Sequence, residues 1–99
     1  MILKFETLKD LLIFNIKYYR YYNNISQEKL AELTNLSPKY ITDIECGRHC
    51  PTINKLEIIA NSLGIEPYVL LQNPERDKSI IDRMTNSRQY NQNNPKNRK

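Results

Sequence analysis

The stretch from Ser26 to Gly47, SQEKLAELTNLSPKYITDIECG, constrains this chain more than any other. Ser26 carries the short oxygen-bearing side chain that caps a helix. Glu28 and Glu32 fall toward that helix's positive end, and Leu30, Ala31 and Leu33 supply its apolar side. Asn35 stops the helix. The chain turns through Leu36, Ser37 is placed to cap a second helix, and Pro38 takes its first position, where a missing N–H costs nothing. Two short helices therefore meet across a tight turn.

A separation of about three residues is the spacing of a helix-turn-helix. The stretch resembles the Cro and phage-repressor type of helix-turn-helix family, the XRE family of bacterial regulators. Gln27 opens the first helix, and Ala31 stands where the family needs a small residue. Ile41 is the buried aliphatic of the second helix, and Glu45, Gly47 and Pro51 follow in the family's order. Asn35 departs from the family's usual Gly at a left-handed position, which Asn tolerates better than other non-Gly residues. The resemblance runs from about Leu12 to Leu71. It implies an all-α fold: a compact five-helix, repressor-like domain over residues 1–73.

The chain of 99 residues permits one small domain and no second ligand-binding domain of ordinary size. No stretch reaches the roughly 18 uninterrupted apolar residues of a membrane span, and the N-terminus lacks an apolar signal core. A cytoplasmic location is expected. The formal charge of +4 is unevenly placed. Residues 1–74 hold eight bases and eight acids, whereas residues 75–99 hold seven bases and three acids and so carry the whole excess. Any basic patch on the domain must then be local, built from Lys39, Arg48 and Lys29.

Before the central pair, Thr7 to Tyr22 reads as a helix with Leu8, Leu12, Ile16 and Tyr19 on its core side. Tyr18, Tyr19, Tyr21 and Tyr22 can be read as a base-stacking platform. The plainer reading puts Tyr19 in the apolar stripe and the other three around the helix. The resemblance implies a structural ion pair between Arg20 and Glu45, registering the first helix against the third.

Cys46, His49 and Cys50 invite a metal reading, but zinc usually takes four ligands, and these are the protein's only Cys and His residues. Ordinary loop residues, with no metal and no cofactor, are expected, with Gly47 as a left-handed C-cap. Thr52 caps a fourth helix whose stripe is Ile53, Leu56, Ile59, Ala60 and Leu63, ending at Gly64. A short fifth helix, Pro67 to Leu71, closes the core, and Pro74 breaks the chain. Residues 75–88 suit one more amphipathic helix with Ile80, Ile81 and Met84 on its sticky side. From Asn86 onward the polar composition reads as disorder.

The resemblance implies sequence-specific binding of double-stranded DNA, with the segment Ser37 to Glu45 as recognition helix in the major groove. Carried over residue by residue, Ser37, Pro38, Lys39, Thr42 and Asp43 occupy groove-facing positions. Gln27 sits where the family anchors phosphate or reaches a base, and Arg48 holds phosphate. Asp43 is the awkward member, and a turn away from the groove or an i,i+4 pairing with Lys39 is the alternative. A homodimer is expected through the apolar residues left after the core is assigned: Ile58, Tyr68, Leu71, Ile80, Ile81 and Met84. The competing class is an antitoxin or anti-repressor module that binds a protein partner. With a single His and no acid, base and nucleophile constellation, no enzymatic activity is expected.

Overall fold

The computed structural model describes residues 2–93. They form five α-helices, α1 (Leu8–Tyr22), α2 (Gln27–Thr34), α3 (Pro38–Glu45), α4 (Ile53–Ser62) and α5 (Lys78–Asn93), with a 3-10 helix, Pro67–Leu71, between the last two. The first four α-helices start on a hydroxyl cap. Thr7, Ser26, Ser37 and Thr52 each accept the backbone N–H three residues on, at 2.9–3.2 Å. Asn35 ends α2 in the left-handed conformation, φ 59° and ψ 29°, and the Leu36 N–H then reaches back to the Ala31 carbonyl at 3.1 Å.

The main core lies where α1, α2, α3, α4 and the 3-10 helix converge, around Ile16, Leu30, Ile41, Ile44, Ile59 and Leu70. A fully buried amide fixes the 3-10 helix to α1: Asn15 Nδ2 donates to the Leu70 and Gln72 carbonyls, each at 2.8 Å. The Leu70 carbonyl lies at the end of a short helix, on a fully buried residue, so the amide meets an otherwise costly demand there. Leu8 and Ile53, expected in the core stripes, are 61% and 72% exposed. Both sit in the first turn of their helices, where the apolar stripe overruns the edge of the core.

The last helix departs further from the sequence reading. It begins at Lys78 and runs through Asn93, past the point where disorder was expected from Asn86; residues 94–99 lie outside the described residues. Once a docked first turn has met the cost of nucleation, each added residue gains a hydrogen bond, so polar composition alone does not end a helix. The docking is specific. Ile80 and Met84 are buried against Tyr18 in a second cluster that Phe14, Tyr19, Tyr21 and Ile81 flank. The Tyr18 hydroxyl accepts the Asp77 N–H at 2.9 Å, and Arg83 Nη2 donates to the Tyr21 carbonyl at 3.0 Å. Thus Tyr18 is core rather than surface. Ile80 and Met84, expected at a dimer face, are used inside the chain, with Ile81 half-buried beside them. The Arg76 guanidinium lies 5.2 and 5.0 Å from the Phe14 and Tyr18 ring centres, roofing the same cluster.

Ile80→Ala and Met84→Ala should each cost about 2–5 kcal/mol of unfolding free energy, as for buried aliphatic truncations. Ile58→Ala, at an exposed position, should stay within about 0.5 kcal/mol. Chemical denaturation of the three variants checks this, and equal small losses would show that α5 is not docked as described.

Candidate nucleic-acid interface

The site is assembled around one carboxylate. Glu45, in the last turn of α3, is almost wholly covered, and Arg20 from α1 grips it with two parallel bonds. Nε donates to Oε2 at 2.7 Å and Nη2 to Oε1 at 2.9 Å. Arg20 Nη1 also donates to the Ile25 carbonyl at 2.9 Å, which fixes the loop leading into α2. Burial alone would lower the Arg20 pKa, but the bond and charge of Glu45 outweigh it, and the net shift is upward. Gln27, the first residue of α2, adds a third contact: its Nε2 donates to Glu45 Oε1 at 2.9 Å, and its Oε1 accepts from the Thr42 hydroxyl at 3.2 Å. One carboxylate therefore registers α1, α2 and α3 together.

A second carboxylate organises the outer edge of α3. Ser37, Pro38 and Lys39 are exposed at its start, and Thr42 is half-buried one turn on. Asp43 is engaged by a cation on each of its carboxylate oxygens. Its Oδ2 accepts from Lys39 Nζ and its Oδ1 from Arg48 Nε, both at 3.0 Å. Its backbone carbonyl also takes the N–H groups of Arg48 and His49, at 2.8 and 3.2 Å. The bonds from Lys39 and then Arg48 hold its carboxyl below the ordinary aspartate pKa, and the bond from Asp43 pushes the Arg48 guanidinium up. Of the two alternatives the sequence left for Asp43, the i,i+4 pairing is the one present. The side chain lies on the flank where loop 46–50 returns, held between the two cations. Lys39 and Arg48 themselves stay largely in solvent.

The third local cation, Lys29, pairs with Glu32 at 2.8 Å on open surface, where water and salt screen most of the attraction. Cys46 and Cys50 are both free and exposed, and the His49 ring lies 5.6 Å from that of Tyr40. Among the described residues no group of three His, Cys, Asp or Glu side chains is placed to hold a metal. Gly47 takes φ +83°, the left-handed C-cap that a β-carbon would strain. The sequence reading missed the Gln27 links to Glu45 and Thr42. A carboxylate and an amide 18 positions apart leave no periodic trace, and only the Arg20 partner suggested that Glu45 lies inside.

Removing one partner of the buried pair, as in Arg20→Ala, should cost about 3–5 kcal/mol. The joint exchange Arg20→Met with Glu45→Leu should recover most of that loss, since no uncompensated charge remains. Thermal melts of both variants decide it. For Asp43 the depressed folded-state pKa means its contribution is present above the ordinary aspartate range and lost as pH falls through the folded value. The stability difference between the native chain and Asp43→Asn should accordingly narrow as pH falls below the ordinary aspartate range; a gap that does not narrow on acidification would contradict the clamp.

Comparison with known proteins gives the same picture. A family model described as helix-turn-helix matches residues 16–70. Control protein C.SmaI of Serratia marcescens is 39% identical over 67 residues, covering 68% of this chain and 80% of that protein. An immunity repressor protein of Bacillus phage phi105 is 33% identical over 81 residues, covering 70% of this chain and 56% of the repressor. Among solved structures, a hypothetical transcription factor, NHTF from Neisseria, superposes with a TM-score of 0.68 at 26% identity over 86% of this chain and 91% of that one. With the capped helix pair, the left-handed Asn35 and the Arg20–Glu45 lock in place, the chain belongs to the Cro and phage-repressor type of helix-turn-helix family of transcriptional regulators.

Proposed function

We propose that this chain regulates transcription by binding double-stranded DNA in a sequence-specific manner, with α3 laid in the major groove. The observation that carries the reading is the exposed row Ser37, Pro38 and Lys39 at the start of α3. It stands beside half-buried Thr42 on a helix whose register Arg20 and Gln27 hold. A recognition helix needs such a scaffold, because base-edge contacts tolerate little positional slack. Lys39 suits guanine O6 and N7 or a phosphate, and Thr42 a base edge or a thymine methyl. Arg48, projecting from the loop after α3, suits phosphate, and the backbone at the start of α2 around Gln27 suits a second phosphate contact.

Two copies would act together, since one module of this size touches too few bases for useful specificity. With Ile80 and Met84 buried in the chain, the expected contacts that stay exposed to join the copies are Ile58, Tyr68 and Leu71, at 42%, 61% and 39%. Among the relatives, the one named an immunity repressor favours a repressor-like regulator, and a cytoplasmic place of action belongs to this reading. No catalytic step belongs to this reading. The excess positive charge of residues 75–99 would add affinity without sequence preference.

Selection from random DNA with the purified full chain should return a site of two half-sites about one helical turn, roughly 34 Å, apart. On that site Lys39→Ala should cost about 1–3 kcal/mol, with a smaller loss on scrambled DNA. Arg48→Ala should weaken both sequences alike and reduce the salt slope by about one unit. Equal losses on both DNAs for Lys39→Ala would mean that α3 does not read the groove.

A further inference from the structure

The bonds around Glu45 do more than lock helices, because they have a direction. An ionised carboxylate only accepts. With Arg20 donating to both of its oxygens, the third approach, from Gln27, must come from the amide's NH2 end, at 2.9 Å. That choice leaves the Gln27 carbonyl oxygen facing Thr42 Oγ1, 3.2 Å away. A carbonyl oxygen accepts only, so the single hydroxyl hydrogen of Thr42 is committed inward. What Thr42 can present outward is two lone pairs and a methyl group.

We propose that this relay, Arg20 to Glu45 to Gln27 to Thr42, makes Thr42 an acceptor-only reader of DNA. A free threonine hydroxyl can rotate to donate or accept and so tolerates any base edge. With its proton committed, the Thr42 hydroxyl meets favourably only a base edge that donates in the major groove, the exocyclic amine of adenine (N6) or of cytosine (N4). Guanine O6 and N7 are acceptors facing its lone pairs and are disfavoured there, and at thymine any methyl–methyl contact is opposed by O4 facing the same lone pairs. Lys39, one turn earlier, carries only donors, so guanine recognition falls to it. The half-site should therefore hold adenine or cytosine at the Thr42 position and admit guanine at the Lys39 position. Gln27 is a positioning residue in this scheme: it selects the polarity of Thr42 without touching that base.

The proposal rests on the placement of α3 in the major groove, and the test separates the two. Base preference of the full chain is measured position by position, by selection and by competition binding, for the native protein and for Thr42→Val, Thr42→Ser, Gln27→Leu and Lys39→Ala. Thr42→Val, which keeps the shape and loses the hydroxyl, locates the Thr42 position. There the native chain should prefer adenine or cytosine over guanine or thymine by roughly tenfold, in the lower range of a base-edge contact. Thr42→Ser keeps the hydroxyl and should keep that preference. Gln27→Leu frees the hydroxyl to rotate and should relax the preference at that position alone, leaving the Lys39 position unchanged. A purely structural role for Gln27 would instead lower affinity for all sequences and move no single position. A native preference for guanine or thymine at the located position overturns the relay, as does an unchanged preference in Gln27→Leu. So does a Thr42→Val chain that shifts no position while Lys39→Ala does. If neither Thr42→Val nor Lys39→Ala shifts any position, the groove placement itself fails, and the relay with it.

Discussion

A carboxylate taken out of water must be compensated where it lies, and Glu45 is nearly inaccessible at the base of α3. That demand organises the molecule. Arg20 answers it with a planar two-point grip that no lysine could copy, and Gln27 completes the shell. Each partner arrives from a different helix, so satisfying one charge fixes three helices relative to one another. Apolar packing of Ile16, Leu30, Ile41 and Ile44 supplies most of the free energy, yet it tolerates small slides of one helix over another. A bidentate ion pair with a fixed third donor does not. The hydrophobic core makes the domain stable, and the Glu45 cluster sets its register.

The second carboxylate acts in the opposite sense. Asp43 holds Lys39 and Arg48 together and cancels much of their field at a distance, while Glu32 does the same to Lys29. The described domain therefore lacks the strong long-range attraction of a basic patch, in keeping with the charge balance of residues 1–74. On the proposed reading, cations held this way engage phosphate or a base edge only at contact, when a new acceptor replaces part of the aspartate's share. Such pairing weakens indiscriminate attraction and leaves a larger fraction of binding to local geometry. It also explains why +4, read as a total, says little about the domain: the surplus sits in the C-terminal segment.

Much of this was legible from residue order because the cues are local. Ser26, Ser37, Thr52 and Asn35 announce themselves within four residues of the backbone groups they satisfy. The Arg20–Glu45 pair was legible for a different reason, since its positions match a family pattern and no periodicity links them. What stayed hidden involves choices between equivalent partners. Ile80 and Met84 read correctly as a sticky strip, but a strip on a terminal helix can close on its own chain or on a second copy, and composition does not say which. Tyr18 settles it, through a hydroxyl that takes the Asp77 N–H and a ring that covers the strip. Among four clustered tyrosines nothing marked that one as buried. Asn15 was equally silent: an asparagine on a core-facing stretch is a liability until the Leu70 and Gln72 carbonyls are brought to it.

The position of α5 ties these strands together. α1 is covered along Phe14 and Tyr18 by Ile80, Met84 and Arg76, and two residues beyond Tyr18 it carries Arg20. The same helix is thus braced on one flank by α5 and on another by the buried pair. Arg83, reaching the Tyr21 carbonyl and Asn24 Oδ1, clamps the C-terminal end of α1 just where the chain turns toward α2. Met84 even lines the cleft that Arg20, Ser26 and Gln27 share. Loosening α5 would free the last turn of α1, and with it the guanidinium whose geometry orients Glu45, Gln27 and Thr42. By way of α1, α5 consequently bears on how firmly the outer row of α3 is held.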